Sequence, residues 1–156
     1  MNIYSLLDKS TILANLSVEN KDDLLHKMID VFEHMVTDDQ LKDIRKSVFE
    51  RERIMSTGVG KNLAIPHGKV ASLDDSFASF AVLEEPIDFD SIDEKPVKMA
   101  FLLIGPEKKN STHIKLLSRI SRLMNRSNFR DTLLECDTAE EILDVFKKEE
   151  VQYFGK

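Results

Sequence analysis

The stretch VKMAFLLIG at positions 97–105 is apolar everywhere except Lys98 and the closing glycine. A strand with one wet face alternates apolar and polar residues, whereas a near-continuous apolar run fits a central strand covered on both faces. This segment asks the rest of the chain for a layered fold, with helices packed against a sheet.

The flanking sequence supplies such helices. Leu24, Leu25, Met28, Ile29, Val31, Phe32 and Met35 recur at helical spacing over 21–35, behind Asn20, which with Asp23 resembles a capping pair. Thr37-Asp38-Asp39-Gln40 fits a capping box. It opens a second helix with Leu41, Ile44, Val48 and Phe49 on one face, running towards Arg51 or Arg53 and ended by the Gly58/Gly60 stretch. Strand candidates are TILAN at 11–15, FASFAVL at 77–83 and the short LAIP at 63–66, stopped by Pro66, which removes a ladder donor. Between the two long strands, the turn-rich EEPIDFDSIDEKP has room for one short edge strand.

The last third reads as helical, with Ile114, Leu116, Leu117, Ile120, Leu123 and Met124 forming one amphipathic stripe. Ser127 is placed as the cap of a short helix at 128–136. Thr138-Ala139-Glu140-Glu141 is another capping box, ahead of Ile142, Leu143, Val145 and Phe146. Helices, strands and helices again, with no repeat or internal linker, predict an α/β fold: a single layered domain at 1–150, a mixed β-sheet flanked by helices, and a fraying tail at 151–156.

Composition narrows the function classes. With 156 residues, 42% hydrophobic and 32% charged, the chain is one domain long and can bury an ordinary core. The formal net charge of −6 argues against a large phosphate-neutralising surface, so no nucleic-acid partner is expected. No apolar run approaches the ~18 residues of a membrane span, and MNIYSLLDKS lacks the basic start of a secretory signal. The single cysteine, Cys136, excludes an internal disulfide framework and a cysteine-rich zinc site. In LLEC it reads as a small buried apolar residue and fits a reducing compartment such as the cytoplasm.

The segment that looks built for chemistry is STGVGKNLAIPHGKV, 56–70. It is not a P-loop, because the position five residues before the Gly-Lys pair is Met55, and it has no Gly-x-Gly-x-x-Gly. Glycines at 58, 60 and 68 allow positive φ and close backbone approach around His67, so exposed amides there could surround an anion. Imidazole is a nucleophile at neutral pH and can carry a phosphoryl group. A histidine at a strand end can equally serve structure by bonding a backbone carbonyl, and local chemistry leaves both readings open.

Further along, His113 falls in the first turn of a long helix, a place that disfavours imidazolium and favours anions; read alone, it is a solvated first-turn residue. Arg51 and Arg53 precede the glycine loop, where a guanidinium could fork onto phosphate oxygens or simply complement a helix end. His26 and His34 have no metal-ligand spacing and read as surface or boundary residues. The acidic run 88–94 lacks the central glycine and terminal glutamate of a calcium loop and reads as solvated.

RERIMSTGVGKNLAIPHGK (51–69) resembles the active-site signature of the enzyme IIA domains of the fructose, mannitol and nitrogen-related branch of the bacterial phosphotransferase system. PIDFDSIDEKPVKMAFLLIGP (86–106) and STHIKLLSRISRLM (111–124) match further family blocks in order. The resemblance implies a layered α/β fold and phosphoryl transfer from phosphoenolpyruvate with no cofactor, nucleotide or metal. By position it makes His67 the phosphoryl acceptor at Nε2, His113 the neighbouring histidine that supports the phosphoryl group, and Arg51 the arginine that contacts phosphate or His113. Ser56, Thr57, Gly58 and Gly60 become the loop beside the site. The implied donor is a phosphohistidine carrier, HPr or its nitrogen-branch counterpart, and the implied downstream partner is a regulatory target or a IIB domain. PHGK with FDSID is closer to the nitrogen-related pattern. The alternatives are a sugar-transport IIA passing phosphate to a IIB cysteine, and a binding module that kept the fold without the chemistry. The chain departs from the family pattern at Asn62, where glycine is frequent; asparagine also tolerates positive φ.

Overall fold

The computed structural model describes residues 2–155. The apolar run is part of β6 (Val97–Pro106), buried along almost its whole length at the centre of a six-stranded sheet. One edge of β6 pairs antiparallel with β5 (Phe77–Ile87), which in turn pairs parallel with β1 (Ile12–Leu16). The other edge of β6 is shared by two short strands. β3 (Leu63–Ala64) runs parallel to it opposite Met99 and Ala100, and β4 (His67–Val70) continues along the same edge opposite Leu103 to Pro106. Pro66 has no N–H to give, so the ladder breaks there, but its carbonyl still accepts from the Leu103 amide at 3.1 Å. β2 (Gly58–Gly60) closes antiparallel on β3.

Side-chain alternation along β6 divides the core. Phe101 and Leu103 face α3 (Asn110–Met124), α4 (Ser127–Glu135) and α5 (Ala139–Phe154), where Phe80, Leu116, Ile120, Phe129 and Phe146 join them. Ala100, Leu102 and Ile104 face α1 (Lys21–Asp30) and α2 (Asp38–Ile54), against Leu25, Met28, Ile44 and Val48. Phe146 touches the rings of Phe80, Phe129 and Phe101 edge-on, at 4.9, 5.1 and 5.8 Å between centroids. Each large apolar side chain buried this way contributes about 1.5–3 kcal/mol. Both faces of β6 are covered, as its sequence requires.

Three helix starts, those of α1, α2 and α5, follow their signals. Asn20 caps α1 by accepting from the Asp23 amide at 2.9 Å, and Thr37 with Gln40, and Thr138 with Glu141, form complete capping boxes. Several ends differ from expectation. α1 stops at Asp30 and the chain turns through 31–35, leaving Met35 exposed while Phe32 stays in the core. Ser127 does not cap α4; it is its first residue, behind Arg126, which makes no side-chain cap. α5 does not fray after Glu150. The buried Glu150 carboxylate accepts from the Ile3 and Tyr4 amides at 2.6 and 2.9 Å and pairs with Arg119, and Gly155 closes the helix with φ of 80°. The EEPI segment is no separate edge strand but the end of β5, shifted in register after Val82.

Candidate functional site

His67 is the first residue of β4, held just after the Pro66 break, and is half-buried. Its Nδ1 lies 3.0 Å from the carbonyl oxygen of Ile65. A carbonyl only accepts, so Nδ1 carries the proton and Nε2 is left with its lone pair. Burial lowers the His67 pKa from its usual value; the Ile65 hydrogen bond opposes this, and the nearby Arg51 charge adds to the lowering. A neutral imidazole with a free Nε2 is a nucleophile at pH 7.

His113 is not the solvated first-turn residue that its position alone suggests. It is 3% exposed, and its ring lies 6.0 Å from that of His67, centroid to centroid. Tertiary packing accounts for the difference: α3 lies across the C-terminal end of β6, where Gly105 leaves a hollow for the ring. A Cβ on Gly105 would stand 2.6 Å from His113 Nδ1. Among the described residues neither ring nitrogen has a hydrogen-bond partner. Burial first, then the His67 and Lys69 charges, pull its pKa down to about 4, so His113 is neutral with one N–H unused. Buried polar atoms without partners are rare enough to need a reason, and a ligand in the cleft is one.

Arg51, in the last turn of α2, donates from Nη1 to the Met55 carbonyl at 2.8 Å and lines the same cleft as His67. Arg53 is exposed and does not line it. Between them Glu52 points inward. Its carboxylate accepts from the Thr57 amide at 2.8 Å and the Thr57 hydroxyl at 2.6 Å, and pairs with Lys21 at 2.9 Å. Sequence reasoning passed over Glu52, yet a signal existed: it continues the buried Ile44–Val48 stripe at the next i+4 step. The same network reaches the 88–92 loop, because Ser56 donates to the Phe89 carbonyl at 2.7 Å.

Three amides of the glycine loop that were expected to be open to an anion are already bonded. The amides of Thr57, Gly58 and Lys61 are taken by Glu52, the Ser56 hydroxyl and Asp93. Of Gly58, Gly60 and Gly68 only Gly60 has positive φ, at 94°, leading into a turn in which Lys61 and Asn62 are also left-handed, at 58° and 64°. Asn62 thus keeps the turn and braces it by donating to the Pro96 carbonyl at 2.8 Å. Gly68 is needed for close approach, since a Cβ there would meet Ser47 Oγ at 2.7 Å.

The model of the family described as phosphoenolpyruvate-dependent sugar phosphotransferase system, EIIA 2, matches residues 5–149. The chain belongs to this enzyme IIA family. It is 34% identical over 145 residues to a nitrogen regulatory protein of Bradyrhizobium diazoefficiens, covering 93% of this chain and 94% of that protein. It is also 31% identical over 148 residues to the fructose-specific EIIABC component of Bacillus subtilis, covering 95% of this chain but only 23% of that longer protein. Among solved structures, the nitrogen regulatory protein IIA-Ntr from Neisseria meningitidis superposes with a TM-score of 0.85 at 29% identity, covering 92% of this chain and 98% of that one.

In this enzyme IIA domain, then, the two histidines and Arg51 meet from three separate elements, β4, α3 and α2. His67, Arg51, Ser56, Thr57 and Gly58 line one cleft of about 530 Å³, while Gly60 faces a neighbouring groove. Exposed Ile54, Met55, Val59, Ile92 and Ile114 stand around the opening. His26 and His34 lie far from it in role: His26 stacks on Phe49 and bonds Arg45 on the surface, and His34 is exposed. Cys136 is buried, with only a weak bond from its thiol to the Thr132 carbonyl. No helix among the described residues is long and apolar enough to cross a membrane.

Proposed function

We propose that this enzyme IIA domain accepts a phosphoryl group on Nε2 of His67 from a phosphohistidine carrier, HPr or its nitrogen-branch counterpart, and acts in the cytoplasm mainly as a nitrogen-related regulatory protein. One observation carries the reading: a histidine whose Nδ1 proton is fixed on the Ile65 carbonyl sits in a cleft beside a second, buried histidine with no partner.

The His67 lone pair attacks the carrier's phosphorus in line. The phosphorus–nitrogen bond to the carrier breaks as the new one forms, and the departing electron pair returns to the carrier imidazole. His113, neutral and holding one free N–H, donates to a phosphoryl oxygen, and Arg51 balances the anion's charge. The protein's contribution is alignment and fixed charge, which suits phosphoryl transfer. The exposed apolar residues around the cleft dock the carrier and keep water from the reacting bond.

Similarity over nearly the full length of the nitrogen regulatory relative supports the regulatory branch. A second reading has its own observation: the match to one part of a fructose-specific transporter, in which a IIA domain would hand its phosphate to a IIB cysteine. Incubation with phosphoenolpyruvate, enzyme I and carrier, followed by intact-mass analysis, tests the proposal. One acid-labile phosphate on the wild type and none on His67→Ala is the expected result. No phosphate on folded wild type would leave the binding-module reading. Rapid onward transfer to a purified IIB domain would favour sugar transport.

A further inference from the structure

Lys69 is the PHGK residue that the proposed chemistry leaves without a role. It lies two positions after His67 on β4, so the pleat puts both side chains on the same face, ~7 Å apart along the strand. That face looks towards α3, because Lys69 is in register with Gly105, the residue under the His113 ring. Lys69, His67, His113 and Arg51 all line one groove of about 610 Å³. The lysine's ammonium has no anionic partner: its Nζ donates to the neutral side-chain carbonyl of Asn110, the first residue of α3, at 2.7 Å, and among the described residues it forms no ion pair with a carboxylate, although Glu50 and Glu107 line the same groove.

We propose that Lys69 is a phosphoryl-binding residue, parked on Asn110 in the unmodified protein and released from it to pair with the phosphoryl oxygens once His67 is phosphorylated. This rests on the reading of His67 as the acceptor. A neutral tether suits such a residue, because it holds the ammonium beside the two histidines without cancelling its charge, and a dianion outcompetes an amide carbonyl for an ammonium. Lys69 thus stands beside His113 as Arg51 stands beside His67, a second cation for the same anion. The two histidines register this cation already, since its charge is among the influences lowering both of their pKa values, after burial as the leading one.

The test is phosphorus NMR of the phosphorylated protein across pH 4.5–8, in wild type, Lys69→Met, Lys69→Arg and Asn110→Ala. Intact mass comes first, to record that each carries phosphate. A nearby cation holds the phosphoryl group's titration midpoint down, so Lys69→Met is expected to raise it by about half a unit, the size an exposed ion pair supports. Lys69→Arg restores it, and Asn110→Ala leaves it at or below the wild-type value because the competing tether is gone. Equal midpoints in wild type and Lys69→Met overturn the contact while leaving the function standing. An equal rise in Asn110→Ala makes the pair a structural brace and overturns the release. Wild type that takes no phosphate on His67 overturns the functional reading and this contact with it.

Discussion

Replacing His113 with leucine should make the protein more stable and less active, and the stability gain should grow in acid. The buried imidazole leaves an N–H donor and a nitrogen acceptor without partners. Such unpaired groups cost about 1–3 kcal/mol, and leucine, of similar volume but branched where the imidazole is flat, returns part of this through imperfect fit, for a net gain of about 1 kcal/mol at pH 7. Acidification adds to it. In the folded protein His113 titrates at about 4 against 6.5 as its ordinary value, so between these limits the unfolded chain binds a proton that the folded one refuses. Wild-type stability therefore falls as pH drops from 6.5 to 4, and the leucine variant lacks that loss. The full shift corresponds to at most about 3 kcal/mol, and solvent in the adjoining groove screens part of it, so the gap should widen by about 2 kcal/mol by pH 4. Urea unfolding of both proteins, followed by circular dichroism at pH 7, 6, 5 and 4.5, measures the difference, in which the titrations of groups not coupled to His113 cancel. A gap that stays constant with pH, or a wild type more stable than the variant throughout, refutes the picture of a neutral, unpartnered His113.

Gly105→Ala should act on the same ring from below. Its new Cβ, 2.6 Å from Nδ1, must push the imidazole aside, which should cost about 1–3 kcal/mol and at least tenfold in the rate of phosphoryl acceptance, read by thermal melting and a phosphorylation time course. Glu52→Ala should cost about 3 kcal/mol, because Lys21 and both Thr57 donors lose a buried carboxylate; a loss under 1 kcal/mol in urea titration would mean that the loop is held by other contacts. The rate of His67 phosphorylation should rise with pH to a midpoint below 6.5 and be flat above it, since burial keeps the imidazole neutral. A midpoint above 6.5 in stopped-flow phosphotransfer would count against that account.

Much of this architecture is local and could be read without coordinates. The apolar run at 97–105 requires cover on both faces, and the capping boxes at Thr37 and Thr138 start their helices as written. These depend on side-chain period and on bonds within four residues, both visible along the chain. Proline and glycine punctuation also placed His67 at a strand end, and the resemblance carried by residues 51–69 placed it in its family. Element ends were harder. α1 stops before its periodic pattern does, and α5 outlasts its expected end because Glu150 is tied to Ile3 and Tyr4, residues from the far end of the chain.

The site's chemistry depended on distance in space. His113 looks like a wet first-turn residue until α3 is laid over Gly105 and its water is removed; its neutrality comes from that burial and from His67. Glu52 looks like one charge in a charged helix end until the fold encloses it with Lys21 and Thr57. Periodicity and capping are short-range and belong to the sequence. Desolvation is set by what packs on top, so the pairing of His67 with His113, and the protonation state of each, belong to the tertiary structure.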